Sequence, residues 1–202
     1  DLNSENLIIS STCRIEQGDI TNVSYPDNYF DIIISINTFE HISNFDIAIQ
    51  EMHRILKDGG YMFSLFGPIW SAAHGHHLFY SHSGKTYNYY DVILPAFCHL
   101  LKTPEEVYDI LSSKYSFNSE INKGIVDYIY NSPEQNRLFF EDYEKLINDS
   151  KFQVLFFSGN SSEKLNKIYK RNIAPQIFED LRRKYPNLTN FMHNGITMLL
   201  KK

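Results

Sequence analysis

Two polar clusters in the sequence contain residue types that can do acid–base chemistry. The first cluster, Asn37, Glu40 and His41, comes directly after the apolar run of residues 31–36. The second is the stretch WSAAHGHHLFYSH, which begins at Trp70 and contains four histidines. A histidine can remove a proton from a substrate at neutral pH, because its pKa lies near neutrality. Both clusters are therefore candidates for positions where a small molecule reacts.

The histidine-rich stretch supports more than one hypothesis. Its members His74, His76 and His77 could bind zinc together with His82 or His41, since neutral imidazoles are good zinc ligands. One of them could instead act as a general base in a substrate site. The histidines could also simply pack or form local hydrogen bonds in a polar loop. No pattern of carboxylates accompanies the stretch, and we predict no metal site.

The elements around the first cluster follow from the hydrophobic pattern. Residues 31–36 are a continuous β-branched run, which is typical of a parallel strand covered on both faces. From Asn44 the apolar positions take a helical period, and Gly59 and Gly60 end the helix. Residues 60–66 then predict a second buried strand. Such a strand–helix–strand unit forms a right-handed parallel crossover, so the first cluster lies at the carboxyl end of a strand.

The rest of the chain alternates between further strands and helices. Residues 14–20 predict a short strand that runs into a loop. Residues 152–158 and 195–202 predict two closing strands, which would form an antiparallel pair at one edge of the sheet. Capping residues and periodicity predict helices over the remaining segments, namely residues 104–114, 119–130, 133–149, 162–170 and 174–184.

The composition excludes several classes of partner. The formal charge of -5 and the absence of a long basic run leave no electrostatic footprint for nucleic acid or for an anionic membrane surface. The apolar runs stop short of the ~20 residues that a membrane helix requires. The two cysteines, Cys13 and Cys98, are far apart, which is unlike a disulfide framework. We predict a cytoplasmic protein without nucleic-acid or membrane partners.

Three segments, taken together, resemble a known family. In order they are RIEQGDI, YPDNYFDIIISINTFEHI and AIQEMHRILKDGGYMFSLFGP. Their order and spacing are similar to the second half of a class I S-adenosylmethionine-dependent methyltransferase. The resemblance is strong over residues 1–70 and weaker for the closing strands. It implies an α/β, Rossmann-like sheet, mostly parallel with an antiparallel C-terminal strand pair, whose cofactor lies across the carboxyl ends of the strands.

The resemblance also implies a division into domains. Residues 1–67 and 133–202 would form a partial Rossmann-like methyltransferase domain. Residues 68–132 would be an inserted helical cap that selects the substrate. The reaction implied is methyl transfer from S-adenosylmethionine to a small-molecule acceptor, for which the protein mainly supplies alignment and exclusion of water.

Cofactor contacts are implied at four positions. By resemblance, Asp19 would accept a hydrogen bond from the adenine amino group, and Ile20 would lie beside the ring. Asn37 would pass under the methionine part of the cofactor. Asp1 would bind the ribose hydroxyls, since a carboxylate can accept from two neighbouring hydroxyl groups.

Acceptor contacts are expected from both polar clusters. If the acceptor must lose a proton, we expect His41 or His76 to be the general base. The side chains that we expect to contact the acceptor are Trp70, His74, His77 and Tyr80.

One family feature does not occur in this sequence. No two of its glycines are separated by a single residue, whereas a glycine-rich loop normally lets the backbone approach the cofactor. We therefore expect a truncated chain that lacks its first strands and is an inactive fragment of the enzyme. The strand over residues 31–36 would then have an open edge, which invites pairing as a homodimer. Alternatives are a non-catalytic binding domain and a zinc hydrolase built on the histidine stretch.

Overall fold

The computed structural model describes residues 7–10, 13–161 and 173–202 of the chain. The strands are β1 (Leu7–Ser10), β2 (Cys13–Ile15), β3 (Phe30–Ile36), β4 (Leu56–Phe66), β5 (Phe79–His82), β6 (Lys85–Asn88), β7 (Gln153–Asn160) and β8 (Gly195–Lys201). The helices are α1 (Phe45–Ile55), α2 (Cys98–Leu101), α3 (Pro104–Lys114), α4 (Ser119–Asn131), α5 (Phe140–Asn148) and α6 (Pro175–Lys184), with 3₁₀ turns at Phe39–His41 and Tyr89–Asp91. The helix predicted over residues 162–170 and the candidate Asp1 lie outside the described residues. None of the described helices is long and apolar enough to cross a membrane.

The central sheet contains four strands in the order β3-β4-β8-β7. β3 and β4 are parallel and are connected through α1, so the predicted crossover unit is confirmed. β8 runs antiparallel to both β4 and β7, which confirms the predicted antiparallel pair of closing strands. β7 forms one edge of this sheet, and β3 forms the other. The carboxyl ends of β3 and β4 therefore lie side by side.

One face of this sheet is covered by α1 and α5. The α1 side chains that the periodicity predicted to face the core are buried, namely Phe45, Ala48, Ile49, Met52 and Ile55. From α5, the fully buried ring of Tyr143 contacts the rings of Phe45 and Phe66 edge-on, at 5.0 and 5.1 Å between centroids. Each large apolar side chain buried in this way contributes ~2 kcal/mol. This layer anchors both strands from which the candidate site extends.

The opposite face of β3 and β4 is apolar and exposed in the described residues. The paired rows are Ile32 with Tyr61, Ile34 with Phe63, and Ile36 with Leu65. Ile34 is 69% exposed and Ile32 is 60% exposed. The sequence predicted a strand covered on both faces, and the described residues cover one. We call these three paired rows the open face.

The N-terminal strands differ from the sequence prediction. β2 covers Cys13–Ile15 only, and residues 16–20 are not strand. A turn closed by a hydrogen bond from the Asn22 N–H to the Asp19 carbonyl, at 3.0 Å, follows Gly18. β2 pairs antiparallel with β1 and is not part of the four-stranded sheet. The pairing with β1 satisfies the backbone of this strand locally.

The loop before α5 differs from a predicted helix. The sequence predicted that α5 begins near residue 133, but it begins at Phe140, so that prediction was wrong at its start. Asn136 Nδ2 instead donates hydrogen bonds to the carbonyl oxygens of Phe39 and Ile42, at 2.7 and 3.1 Å. These bonds hold the loop against the turn that follows β3.

The same asparagine also accepts hydrogen bonds. Its Oδ1 accepts from the Tyr143 hydroxyl at 2.8 Å and from the Leu138 N–H at 3.1 Å. The next residue, Arg137, has a left-handed φ of 56°, which is incompatible with a continuing helix. The four hydrogen bonds of the Asn136 side chain, which we call the Asn136 clamp, therefore outweigh the local helix signal.

The cap over residues 68–132 contains more than helices. A hairpin of β5 and β6 precedes α2, α3 and α4, so the predicted helical cap is a mixed one. The predicted bounds of α3 are confirmed, and Thr103 caps the helix, because its Oγ1 accepts from the Glu106 N–H at 3.2 Å. The cap is not isolated, since Leu100 packs in one buried cluster with Leu181 of α6. The predicted domain boundaries stay a prediction.

Four histidines of the cap are packed close together. His74, His76 and His99 are at most 5% exposed, and the His76 and His99 rings lie 5.7 Å apart. Burial lowers the pKa of His74 to about 4 and those of His77 and His99 to about 3. Burial also holds the pKa of His76 well below its ordinary value. These imidazoles are therefore neutral at physiological pH.

The Asn136 clamp predicts a specific loss of stability. Replacing Asn136 by Ala leaves the carbonyls of Phe39 and Ile42 and the Tyr143 hydroxyl without this partner, which costs ~3 kcal/mol. We expect this loss in the free energy of unfolding, measured by urea denaturation. Asn131→Ala is the control, because Asn131 is exposed. Among the described residues its side chain bonds only to Asp127, one turn earlier in α4. Equal stability of the two variants would contradict the clamp.

The buried histidines predict unfolding at mildly acidic pH. Their pKa values are lower in the folded than in the unfolded state, so the unfolded state binds more protons below about pH 6.5 and stability falls as the pH falls. Between pH 8 and pH 5, the free energy of unfolding falls by ~2 kcal/mol for each of three histidines, His74, His77 and His99. Urea denaturation at both pH values measures the loss. His99→Leu removes one of the four buried histidines and should reduce the pH-dependent loss by about a quarter, whatever it does to stability at pH 8. An unchanged loss would refute this account.

The open face supports the predicted homodimer as our proposal, and so does the outer edge of β3, which pairs with none of the described strands. An unpaired strand edge with apolar neighbours favours pairing with another chain. We expect light scattering to show a mass that rises with protein concentration toward a dimer. Ile34→Lys should shift the protein toward monomer, whereas Ile47→Lys, at a position on α1 that is 45% exposed, should not. A monomer at all concentrations would exclude the dimer.

Candidate functional site

The backbone leaves the sheet abruptly at the carboxyl end of β3. Asn37 has a left-handed φ of 50°, which asparagine tolerates better than most residues. Its N–H still donates to the Leu65 carbonyl of β4, at 2.9 Å. The 3₁₀ turn Phe39–His41 follows immediately. The strand end, Asn37 and this turn therefore form one fixed corner above the sheet.

Glu40 connects the ends of β3 and β4. Its side chain is 2% exposed, and its Oε1 accepts a hydrogen bond from the Gly67 N–H at 3.1 Å. Oε2 is buried without a hydrogen-bond partner among the described residues. Burial raises the pKa of the Glu40 carboxyl, against the effects of the Gly67 hydrogen bond and of His41. A buried acid is thus placed directly behind the candidate base.

His41 is held in a defined orientation. Its Nδ1 lies 2.5 Å from the carbonyl oxygen of Glu134. A carbonyl oxygen can only accept a hydrogen bond, so Nδ1 carries the proton and Nε2 of the neutral ring has a free lone pair. Nε2 lies 4.0 Å from Glu40 Oε1. The ring also stacks on His77, with 4.9 Å between the two centroids. The hydrogen bond and the stacking together give His41 a fixed orientation and the tautomer that a base at Nε2 requires.

A cavity of about 420 Å³ opens beside His41. Its lining residues are His41, His77, Phe79, Asn88, Tyr89, Tyr90, Tyr128 and Glu134. The sheet end supplies His41, the loop before α5 supplies Glu134, and the cap supplies the remainder. The Tyr128 hydroxyl donates to Glu134 Oε2 at 2.7 Å, which holds that carboxylate in the wall. We call this space the cap cavity; it is large enough for a small organic molecule.

A larger groove lies elsewhere. It has a volume of about 840 Å³ and includes Asp27, Arg54 and Lys202 in its lining. Asp27 precedes β3, and Lys202 follows β8, so this groove is at the end of the sheet opposite to Asn37. Ligands of open α/β sheets bind at the carboxyl ends of the parallel strands. The cap cavity has that location, and the larger groove does not.

The predicted acceptor residues are only partly brought together. His41 and His77 both line the cap cavity. His74 lies behind the wall, with its ring stacked on Tyr89 at 5.3 Å. His76 is 2% exposed, and its Nδ1 accepts from the Leu78 N–H at 3.2 Å, so it packs in the cap interior and has no access to the cavity.

The two predicted aromatic contacts also lie outside the cap cavity. Trp70 packs edge-on against His99 at 4.6 Å, and the Arg137 guanidinium lies 5.5 Å from its ring. Tyr80 packs against Gly124 on α4, where any Cβ would collide with its hydroxyl. Both rings therefore support the cap. Sequence reasoning missed Glu134 and Tyr128, because the local pattern around Glu134 indicated a helix start.

The predicted cofactor residues lie at two places in the described part of the chain. Asp19 is in an exposed turn, where its Oδ1 accepts from the Thr21 hydroxyl and N–H at 2.7 and 2.9 Å. These hydrogen bonds lower the pKa of the Asp19 carboxyl, so it stays an acceptor. Its neighbour Ile20 lines a cavity of about 450 Å³ together with Phe30 and Ile33. At ~3.3 Å per residue, Asn37 lies about 13 Å further along the strand than Ile33.

The fit to S-adenosylmethionine is therefore incomplete. Asn37, with its exposed backbone corner at the strand end, fits one wall of such a site. Asp19 has the right chemistry but lies beside the amino half of β3, and Asp1 lies outside the described residues. We therefore derive no reaction step from contacts to the cofactor.

Comparison with known proteins gives a consistent family. The family described as "Methyltransferase domain" matches residues 2–64. The "Ubiquinone/menaquinone biosynthesis C-methyltransferase UbiE" of Neisseria meningitidis serogroup C (strain 053442) is 30% identical over 121 residues, which cover 55% of this chain and 46% of that protein. The protein of the same name from Chromobacterium violaceum is 33% identical over 90 residues, covering 40% of this chain and 37% of the relative. The chain thus spans less than half the length of these relatives.

Solved structures give weaker similarity. A putative S-adenosylmethionine-dependent methyltransferase from Listeria monocytogenes superimposes with a TM-score of 0.48 and 11% identity, covering 93% of this chain and 68% of that chain. The family match, in contrast, covers β3, α1 and most of β4, the elements that carry Asn37, Glu40 and His41. Over residues 2–64 this chain is therefore similar to class I S-adenosylmethionine-dependent methyltransferases, and its described sheet and helices form a Rossmann-like α/β fold.

Proposed function

We propose that the protein takes part in S-adenosylmethionine-dependent methyl transfer to a small molecule bound in the cap cavity, with His41 as the general base. One observation carries this proposal. The Glu134 carbonyl fixes the proton on Nδ1 of His41, so that Nε2 has a free lone pair at the strand end where family ligands bind. The family match over residues 2–64 supports the reaction class.

The residues of this chain would act mainly on the acceptor. When bound, the cofactor supplies an activated methyl group. His41 Nε2 would take the proton that the acceptor loses as it becomes a nucleophile. The imidazolium that results would be stabilised by Glu40, whose Oε1 lies 4.0 Å away and whose carboxyl is fixed by the Gly67 N–H. The aromatic side chains that line the cap cavity would exclude water and align the acceptor.

A non-catalytic binding role is the second candidate. The separation of Asp19 from Asn37 and the lack of a Gly-x-Gly pair in the sequence favour it. In that case the cap cavity would hold its ligand without methyl transfer. We propose accordingly that residues 1–202 alone bind S-adenosylmethionine weakly and are inactive by themselves.

The zinc hydrolase alternative receives no support. No group of three or more histidine, cysteine, aspartate or glutamate side chains in the described part of the chain could hold a metal ion. His82 lies on the β5–β6 hairpin, 4.0 Å from Glu120, and is not among the residues of the cap cavity. A cytoplasmic location is also part of our proposal, because Cys13 and Cys98 are both free thiols.

Gene replacement in the source organism tests the methyltransferase function on the protein as the cell makes it. Deleting the gene should remove a methylated metabolite and accumulate a precursor that is lighter by one methylene group, detected by mass spectrometry. Restoring the gene with His41→Gln should leave at most ~1% of the methylated product formation rate, since a general base contributes 10²–10⁴-fold. His82→Gln is the matched control and should behave as wild type.

Two results would refute the proposal: no such metabolite pair, or full restoration by His41→Gln. Calorimetry with S-adenosylmethionine on the purified 202-residue protein separates the two candidates further. Micromolar binding there would overturn our expectation that this chain is inactive by itself, and it would remove the main support for the non-catalytic role.

A further inference from the structure

The wall of the cap cavity is built largely of aromatic rings. Phe79, Tyr89, Tyr90 and Tyr128 contribute four rings to its lining. Tyr89 and Tyr90 lie 4.3 Å apart between ring centroids, at an interplanar angle of 35°, so they form a continuous corner. The faces of aromatic rings carry partial negative charge and attract cations.

The formal charge of the residues that line the cap cavity is also negative. Glu134 is the acidic member, and none of the described lining residues is a lysine or an arginine. His77 adds no positive charge at neutral pH, because burial lowers its pKa to about 3. Burial also raises the pKa values of Tyr89 and Tyr128, so both phenols keep their protons. An anionic ligand would meet a carboxylate and no compensating cation.

A second acid lies close behind the rings. The carboxyl of Glu40 is near enough to Tyr89 to add to the rise in the pKa of that phenol. Glu40 is buried and joined to Gly67, so it cannot turn outward to water. When ionised, this carboxyl makes the potential on the sheet side of the cap cavity more negative, in addition to the effect of Glu134.

We propose that the methyl acceptor is an organic amine that enters the cap cavity as its ammonium ion. The identification rests on the proposed function, because it places the acceptor in the cap cavity. The four rings and Glu134 would hold the positive charge, and a volume of about 420 Å³ leaves room for a compact body attached to it. A neutral phenol or quinol would gain from the rings but not from the carboxylate.

The proton balance agrees with the position of His41. The ammonium nitrogen passes one proton to His41 Nε2, which uncovers a lone pair on nitrogen. That lone pair would take up the methyl group that S-adenosylmethionine would supply when bound, and the cofactor's sulfur would keep the electron pair of the broken carbon–sulfur bond. The product is a methylated ammonium ion, and the imidazolium releases its proton to water.

A pair of probes of the same shape tests the charge preference directly. Choline carries a permanent ammonium charge, and 3,3-dimethylbutan-1-ol is its neutral carbon isostere. Calorimetry on the 202-residue protein should give choline about tenfold higher affinity than the isostere, as expected for a cation held by several rings. Neither the cofactor nor methyl transfer is required for this measurement.

Three variants locate the effect. Tyr90→Leu, which removes one ring at a position 47% exposed, and Glu134→Gln, which removes the charge, should each reduce the choline preference several-fold. Both should leave the affinity for the isostere nearly unchanged. Phe156→Leu is the control, because Phe156 lies on β7 away from the cap and is 50% exposed. Circular dichroism confirms that each variant is folded.

Several outcomes would overturn the assignment. They are equal or higher affinity for the isostere, no binding of either probe, or a choline preference that Tyr90→Leu and Glu134→Gln leave intact. Higher affinity for the isostere would indicate a neutral acceptor instead. None of these outcomes would affect the gene-replacement result, so failure of the amine assignment is distinguishable from failure of the methyltransferase proposal.

Discussion

The position of the candidate site depends on one side chain, that of Asn136. Its amide donates to the carbonyls of Phe39 and Ile42, which begin and follow the turn carrying Glu40 and His41, and it accepts from the Tyr143 hydroxyl of α5. A half-buried turn of this kind has carbonyls that water reaches poorly, and leaving them unpaired is costly. The Asn136 clamp satisfies them and fixes the turn to the helix layer at the same time.

The loop that contains Asn136 also sets the chemistry of the site. Two residues earlier, the Glu134 carbonyl selects the tautomer of His41, and the Glu134 side chain supplies the charge of the cap cavity. The orientation of the proposed base and the ligand preference are thereby linked through one short segment. A change in the backbone of this loop would alter both together, whereas a change of the Glu134 side chain alone would alter only the charge.

The parts predicted from sequence are those with local signals. The β-branched run of β3, the helical period of α1 and the capping box at Thr103 depend on neighbours in the chain, and each was found. The start of α5 was not, because Ser132 to Gln135 match a helix N-terminus while Asn136 bonds to residues 94 and 97 positions away. The burial of His74 and His76 was equally invisible, since it results from packing that the order of residues along the chain does not reveal.

The family match and the cap cavity inform different questions. The match ends at residue 64, and it includes His41 but none of the other residues that line the cap cavity, which begin at His77. Similarity over those residues therefore supports the reaction class that we propose and says nothing about the acceptor. The names of the relatives concern C-methylation in quinone biosynthesis, but that specificity does not extend to a wall built from residues beyond the match. The acceptor has to follow from the wall itself, and we propose that its rings and the Glu134 carboxylate, with no lysine or arginine among the described lining residues, select a cation.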